Sequence, residues 1–213
     1  MLDNIHWLGH DSFRIDAEKT LYIDPWQLKK NAPPADLVLI THEHGDHCSP
    51  SDVAKIASSE TVIVTNAASA DKLKGQTGQV RVVKPGDHLS INGIRLEVVP
   101  AYNLNKFRSP GKPFHPKEAG HVGFIITLGD QRIYHAGDTD NIPEMSDFEV
   151  DIALLPVSGT YVMTAEEAAD AARRIGPRTA IPMHYGAGVV GTRADAERFA
   201  ELYDGEVVIL EQE

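Results

Sequence analysis

The chain has 213 residues, 42% of them hydrophobic and 24% charged, with 20 Lys and Arg against 31 Asp and Glu for a formal net charge of −11. That balance is an ordinary soluble globular composition with room for a sizeable core. It excludes a disordered or fibrous chain, and the single cysteine, Cys48, excludes a disulfide scaffold. An acidic chain with no Lys/Arg run is also unsuited to general nucleic-acid binding, whose affinity comes from neutralising phosphates, although a small anion remains a compatible ligand.

The first seven residues, Met1 to Trp7, carry neither a basic stretch nor an apolar run of signal-peptide length. The longest apolar runs, such as 152–157, are too short to span a bilayer. With one cysteine, the expected location is the cytoplasm.

Short β-branched or apolar runs dominate the first hundred residues and predict strands at 5–8, 12–15, 21–23, 37–40, 61–64, 80–83 and 95–99. Two helices interrupt them. Ser49 is placed to cap the first, with Pro50 at its first position and Val53, Ile56 and Ala57 along its apolar stripe. Asn66 opens the second, which ends at Gly75. The Pro/Gly-rich stretch 109–113 reads as loop. Strands return at 122–128 and 131–135 across a Gly129-Asp130 hairpin turn.

The last third alternates strand 152–155, helix 165–175, strand 180–181, helix 193–203 and strand 207–210. The helix at 165–175 is the best defined. Thr164 and Glu167 make a capping box, Ala168, Ala171, Ala172 and Ile175 form the buried stripe, and Gly176-Pro177 stops it. Thr192 and Asp195 repeat the device for the next helix. With no internal repeat at solenoid spacing, this order predicts a single domain over 1–213. Its class is α/β (α+β), a four-layer αββα sandwich of two mixed β-sheets with helices outside.

Ten histidines are present, and His42, His44 and His47 fall within six residues beside Asp46, directly after the buried run 37–40. In an extended segment residues i and i+2 point the same way, so His42 and His44 converge on one point. Gly45 then lets the backbone turn Asp46 and His47 toward a second point. Imidazole with carboxylate suits Zn²⁺, with Mn²⁺ or Fe²⁺ as further options. A polar loop of surface histidines is the bland alternative, and the position straight after a buried strand argues against it. Two more strand ends deliver similar groups: Asp138 after Gly137, and His184 after Met183. Strand C-termini are where α/β folds usually build sites.

Together, H-x-H-x-D-H at 42–47, Gly137-Asp138 and the late His184 resemble the metallo-β-lactamase-fold metallo-hydrolase superfamily. Within it, Trp7-Leu8-Gly9-His10-Asp11-Ser12-Phe13, Ile23-Asp24-Pro25, the stretch 134–140 and Leu154-Leu155-Pro156-Val157 resemble one branch. That branch holds the ascorbate-phosphate lactonase-like and N-acyl-phosphatidylethanolamine phospholipase D-like proteins, and the likeness runs from about residue 5 to about residue 190. The resemblance implies that His42 and His44 bind a first divalent ion, that Asp46, His47 and His184 bind a second, and that Asp138 bridges the two. It also implies a departure. Where some relatives carry a third histidine for the first ion, this chain has Asn103, in Pro100-Ala101-Tyr102-Asn103-Leu104-Asn105. His115 is the nearest candidate in the following loop and His121 the next; His115 is preferred, His121 being placed just ahead of a strand.

The remaining polar residues are weighed in the same way. His10, Asn103 and Lys106 are candidate substrate contacts, although a plain structural hydrogen bond serves equally well for His10. Lys106, Arg108 and Lys112 make a local basic patch suited to a phosphate or carboxylate, with a solvated loop as the bland reading. Asp24 is expected to bond the metal loop or cap a turn, and His135 to orient a ligand or lie buried. Cys48 is expected to be a small packed residue, and His6 and His88 to face solvent.

The expected activity is a metal-dependent hydrolase using a metal-bridged hydroxide on a small anionic ester, lactone or phosphodiester. Asp138 would hold the ion pair, and Asp46 would orient the hydroxide as well as bind metal. Alternatives are a lipid or nucleotide phosphodiesterase and, from another class, a non-catalytic metal- or ligand-binding regulator or a di-iron redox protein. The expected partner is a small-molecule substrate, without nucleic acid or membrane, and a homo-oligomer stays open.

Overall fold

The β-branched runs of the first 84 residues build one mixed sheet and those beyond build a second, in a computed structural model that describes residues 2–213. The chain divides accordingly into two units, one reaching to Lys84 and taking in Glu211–Glu213, the other running from Pro85 to Leu210. Among the described residues, no helix is long and apolar enough to cross a membrane.

The first unit opens with a 3₁₀ turn at Leu2–Asn4, followed by β1 (Ile5–Gly9), β2 (Ser12–Asp16), β3 (Thr20–Ile23) and β4 (Leu37–Ile40). Helix α1 (Pro50–Ile56), β5 (Val62–Thr65), α2 (Ala67–Lys72) and β6 (Gln79–Val82) complete it. The six strands lie in the order β1-β2-β3-β4-β5-β6. The first three pair antiparallel, and β3 through β6 pair parallel. All four residues of β4 are buried, the signature of a parallel strand covered on both faces. Ser49 caps α1 by accepting from Asp52 N. The helix then presses Val53 and Ile56 into a core made with Tyr22, Val38, Ile40 and Ile63. At the end of the chain, Glu213 N donates to Trp7 O at 3.0 Å, which joins the last residues to β1.

The second unit begins with β7 (His88–Ile91), β8 (Ile94–Pro100), β9 (Phe107–Ser109), β10 (Lys112–Pro113), β11 (Val122–Leu128) and β12 (Gln131–His135). It continues with β13 (Ile152–Pro156), α3 (Ala165–Ile175), β14 (Thr179–Met183), α4 (Arg193–Leu202) and β15 (Glu206–Val207). Its main sheet has the order β15-β14-β13-β12-β11-β8-β7. The β7, β8, β11 and β12 pairings are antiparallel, and β12 through β15 are parallel.

Two mixed sheets with few helices are what the sequence predicts, with local differences. β7 is not among the strands the sequence predicts; Asn92 (φ 52°) and Gly93 (φ 83°) turn it into β8 as an Asn-Gly hairpin. The stretch 109–113 is not plain loop, because β9 and β10 pair there as a short hairpin of their own. The last strand is shorter than 207–210 and ends at Val207.

Both capping signals are realised. Glu167 N donates to Thr164 Oγ1 at 3.2 Å while Thr164 N donates back to Glu167 Oε2 at 2.8 Å, and Thr192 N donates to Asp195 Oδ2 at 2.7 Å.

Candidate metal centre

In the first unit, everything turns on the end of β4. Thr41 N donates to Asp24 Oδ1 at 2.8 Å and Thr41 Oγ1 donates to Asp24 Oδ2 at 2.6 Å. The Thr41 hydroxyl has then spent its proton, so the ring nitrogen 3.0 Å away, His42 Nδ1, must be the donor of that contact. Nε2 of His42 is left as a lone-pair nitrogen. The same carboxylate fixes His47, whose Nδ1 lies 2.8 Å from Asp24 Oδ2, so that Nε2 is again the ring nitrogen turned away from Asp24. Asp24 therefore sets two histidines at once. It does so from a left-handed backbone, φ 44°, a conformation that costs free energy in a non-glycine residue and is found at functional sites.

His42 Nε2 and His44 Nδ1 lie 3.0 Å apart, and the rings of His42 and His47 have centroids 4.0 Å apart. Lone-pair nitrogens this close need a proton or a cation among them, so the donor set fits a divalent ion. Asp46 Oδ2 lies 3.2 Å from His10 Nε2, and the fully buried Asp11 reaches within 3.8 Å of His47 Nδ1. Backing the loop, Lys72 at the end of α2 donates to the carbonyl of Glu43. Burial pushes the Cys48 thiol up to about 11, so it is protonated at neutral pH.

In the second unit, Gly137 (φ 61°) turns the chain after β12 and presents Asp138. The two carboxylate oxygens of Asp138 separate: Oδ2 lies 3.1 Å from His115 Nε2, and Oδ1 lies 3.3 Å from His184 Nε2. Each histidine is held at its other nitrogen. His184, after β14 and at φ 63°, has Nδ1 2.7 Å from Ser158 Oγ, and His115 has Nδ1 3.1 Å from Asn103 Oδ1. A carboxylate facing two Nε2 atoms with one oxygen each has the disposition of a bridging ligand.

Within the first unit the structure thus gathers His10, His42, His44, Asp46 and His47. Within the second it gathers His115, Asp138 and His184. Of the two loop histidines, His115 rather than His121 faces Asp138, and the His121 ring lies 5.5 Å from that of His115.

Two residues expected to contact substrate are engaged inside their own unit. Asn103 uses its amide on His115, Asp140 and the Tyr161 carbonyl. Lys106 Nζ sits 2.6 Å from Glu167 Oε2 and 3.8 Å from Asp140 Oδ1. His6 is not simply solvent-facing, since Asp16 and Glu213 lie 3.1 and 3.2 Å from its two ring nitrogens; His88 is exposed.

Asp11, Thr41, Asp140 and Ser158 were missed. For three of them a signal existed: each stands one or two residues from a candidate ligand or contact, at His10, His42 and Asp138. Ser158 had none, because only strand pairing brings it to His184.

Residues 4–184 match the family profile described as Beta-lactamase superfamily domain. A UPF0173 metal-dependent hydrolase from Methanoculleus marisnigri is 35% identical over 184 residues, covering 84% of this chain and 79% of that protein. Its counterpart from Thermoplasma acidophilum is 34% identical over 212 residues, covering 93% and 89%. Among solved structures, a Parabacteroides distasonis protein matches with a TM-score of 0.84 and 36% identity, over 98% of this chain and 93% of that one.

Proposed function

Because this chain belongs to the beta-lactamase superfamily and is a metal-dependent hydrolase, we propose that it uses two divalent transition-metal ions, most simply Zn²⁺, to cleave a small anionic ester, lactone or phosphodiester. His42, His44 and His115 would hold one ion, Asp46, His47 and His184 the other, and Asp138 both. The observation that carries this reading is the split carboxylate of Asp138, one oxygen toward each of two histidines whose opposite nitrogens are already fixed. When bound, such a pair of ions polarises a carbonyl or phosphoryl oxygen and lets water ionise near neutral pH.

The chain's own residues supply the rest. Asp24 holds His42 and His47 in the tautomer that leaves Nε2 for ligation. His10 steadies Asp46 across 3.2 Å, which places a carboxylate to receive a proton beside the ligands. Arg108 and Lys112, both exposed, stay available to an anionic substrate, whereas Lys106 is paired with Glu167. The protonated Cys48 offers no competing nucleophile.

The test is metal analysis of the purified chain joined to a hydrolysis screen over sugar lactones, phosphodiesters and thioesters. Two ions per chain are expected, with turnover of one class abolished by chelation and restored by Zn²⁺ or Mn²⁺. A chain without stoichiometric metal, or turnover indifferent to chelation, overturns the reading.

A further inference from the structure

Asn103 lies in the loop after β8, only 7% exposed, and its side chain makes four polar contacts. Its Oδ1 accepts from His115 N at 2.8 Å and lies 3.1 Å from His115 Nδ1. Its Nδ2 donates to Asp140 Oδ1 at 3.2 Å and to Tyr161 O at 2.9 Å. The amide has one consistent orientation. Reversed, it would set its N–H groups against the His115 amide N–H and its carbonyl oxygen against a carboxylate and a carbonyl. With Oδ1 fixed toward His115, Nδ1 of that ring is the protonated nitrogen and Nε2 faces Asp138 Oδ2 at 3.1 Å.

Asp140 is bound as fully. Its Oδ2 accepts from Leu104 N at 2.6 Å and Asn105 N at 2.9 Å, while Oδ1 receives Asn103. One turn, that following β12, therefore grips His115 at both ends of its ring: Asp138 directly at Nε2, and Asp140 through the Asn103 amide at Nδ1. The backbone doubles the grip, because Asn103 N donates to His115 O at 2.8 Å. His115 and Asp140 are 1% and 2% exposed, so water cannot substitute for these bonds without opening the loop.

We propose that Asn103 is a positioning residue that commits His115 to metal ligation through Nε2, and that Asp140 holds Asn103 in the orientation this requires. The inference rests on the reading of His115 as a ligand, and the experiment separates the two.

Affinity for Co²⁺ is measured by competition with a chromophoric chelator in the wild-type chain and in H115A, N103A and N103D combined with D140N. Proton NMR of each Co²⁺-loaded chain follows the ring N–H of coordinated histidines, which a hydrogen bond protects from exchange. H115A is expected to lose one ion and to identify the His115 N–H resonance. N103A is expected to bind that ion about 10–100-fold more weakly and to lose the protected resonance. The double variant keeps an acceptor toward His115 and reverses donor and acceptor at the contact with residue 140, while the bond to Tyr161 O is lost and that contact must widen, so it is expected to recover the resonance with an affinity between those of N103A and the wild-type chain.

Far-UV circular dichroism checks that each chain is folded, and if N103A unfolds the double variant carries the comparison. A folded N103A chain with wild-type affinity and an intact resonance overturns the relay, as does a folded double variant that lacks the resonance. H115A with both ions bound at wild-type affinity overturns the ligand assignment itself.

Discussion

The two units share one plan and assign its positions differently. Each sheet begins as an antiparallel run and then adds three parallel strands, β4-β5-β6 in the first and β13-β14-β15 in the second. The last strand of each antiparallel run, β3 or β12, is followed by an aspartate, Asp24 or Asp138. In the first unit that aspartate is a support, and the end of the next strand supplies the candidate ligands. In the second it faces two histidine nitrogens itself, and the end of the next strand supplies only Ser158, which steadies His184. The difference teaches that topology offers a set of strand ends, while the residue placed there decides whether an end ligates or orients.

Exchanging the two aspartates' fates gives the largest expected effects. In the proposed assignment D138A removes an oxygen from each ion. It is expected to abolish binding of at least one ion and to lower kcat/KM by more than the roughly 10²-fold that marks the upper range for an orienting residue. D24N keeps an acceptor for Thr41 N but weakens the hold on Thr41 Oγ1 and His47 Nδ1. Metal affinity is expected to fall about 10–100-fold while both ions still bind at saturation. Chelator competition on the two variants decides the matter: if D24N abolishes binding as D138A does, the distinction between support and ligand is broken.

The same contrast governs how much could be read from the sequence. The first unit's candidate ligands lie within six residues at the end of an apolar run, so alternation and one glycine are enough to bring them together. Those of the second unit stand at 115, 138 and 184, and what joins them is strand pairing and a loop bonded back by Asn103. No local pattern encodes such a meeting. Hence the preference for His115 over His121 rested on its place in the loop alone, and Asn103 and Lys106 read as substrate contacts with no sign of the bonds each makes inside its own unit. Most elements, both sheets and the caps of α1, α2 and α3 were legible, because each depends on residues a few positions apart. β7 and the β9–β10 hairpin were the exceptions: His-Leu-Ser-Ile alternates over only four residues, and Phe107–Ser109 and Lys112–Pro113 are too short to show a period.

Acid offers a milder comparison, since each unit ties a loop to a helix N-terminus through one carboxylate. In the first unit Asp52 accepts from Gln27 N and Leu28 N, each at 3.0 Å; in the second Glu167 accepts from Lys106, Asn105 and Thr164 N. Burial raises both carboxyls, but bonds outweigh it: those from Lys55, Ser49 and Leu28 N to Asp52, and those from Lys106, Thr164 N and Asn105 to Glu167. Both end below their ordinary values of 3.8 and 4.5. A carboxyl depressed in the folded state contributes stability that is fully present above its unfolded pKa and lost as pH falls through the folded value. Denaturant midpoints measured below pH 4.5 are therefore expected to fall less steeply with acid for D52N and for E167Q than for the wild-type chain. An E167Q chain with the wild-type slope would show that the 103–106 loop owes nothing to this carboxylate.

The smallest effect is expected at Cys48, where proximity to His47 invites a chemical role that the surroundings deny. Burial is the largest influence on the thiol and lifts it to about 11, with Lys72 offsetting only part, and Sγ points to Ser69 O at 4.0 Å. The side chain belongs to the buried cluster that holds Val53 and Ile56 of α1 and Leu73 at the end of α2. The second unit has no counterpart, since the chain has one cysteine. C48A is expected to cost about 1 kcal/mol of stability through the small cavity it leaves, with kcat/KM within about twofold of wild type, as for a packing residue that touches no reacting group. The folded chain is expected to resist alkylation at pH 8 and to react once denatured, because the thiolate is the reactive form. Rapid alkylation of the folded chain with loss of turnover would instead give the first unit a nucleophile as well as its ligands, and the contrast between the units would then lie in chemistry as well as in the placing of ligands.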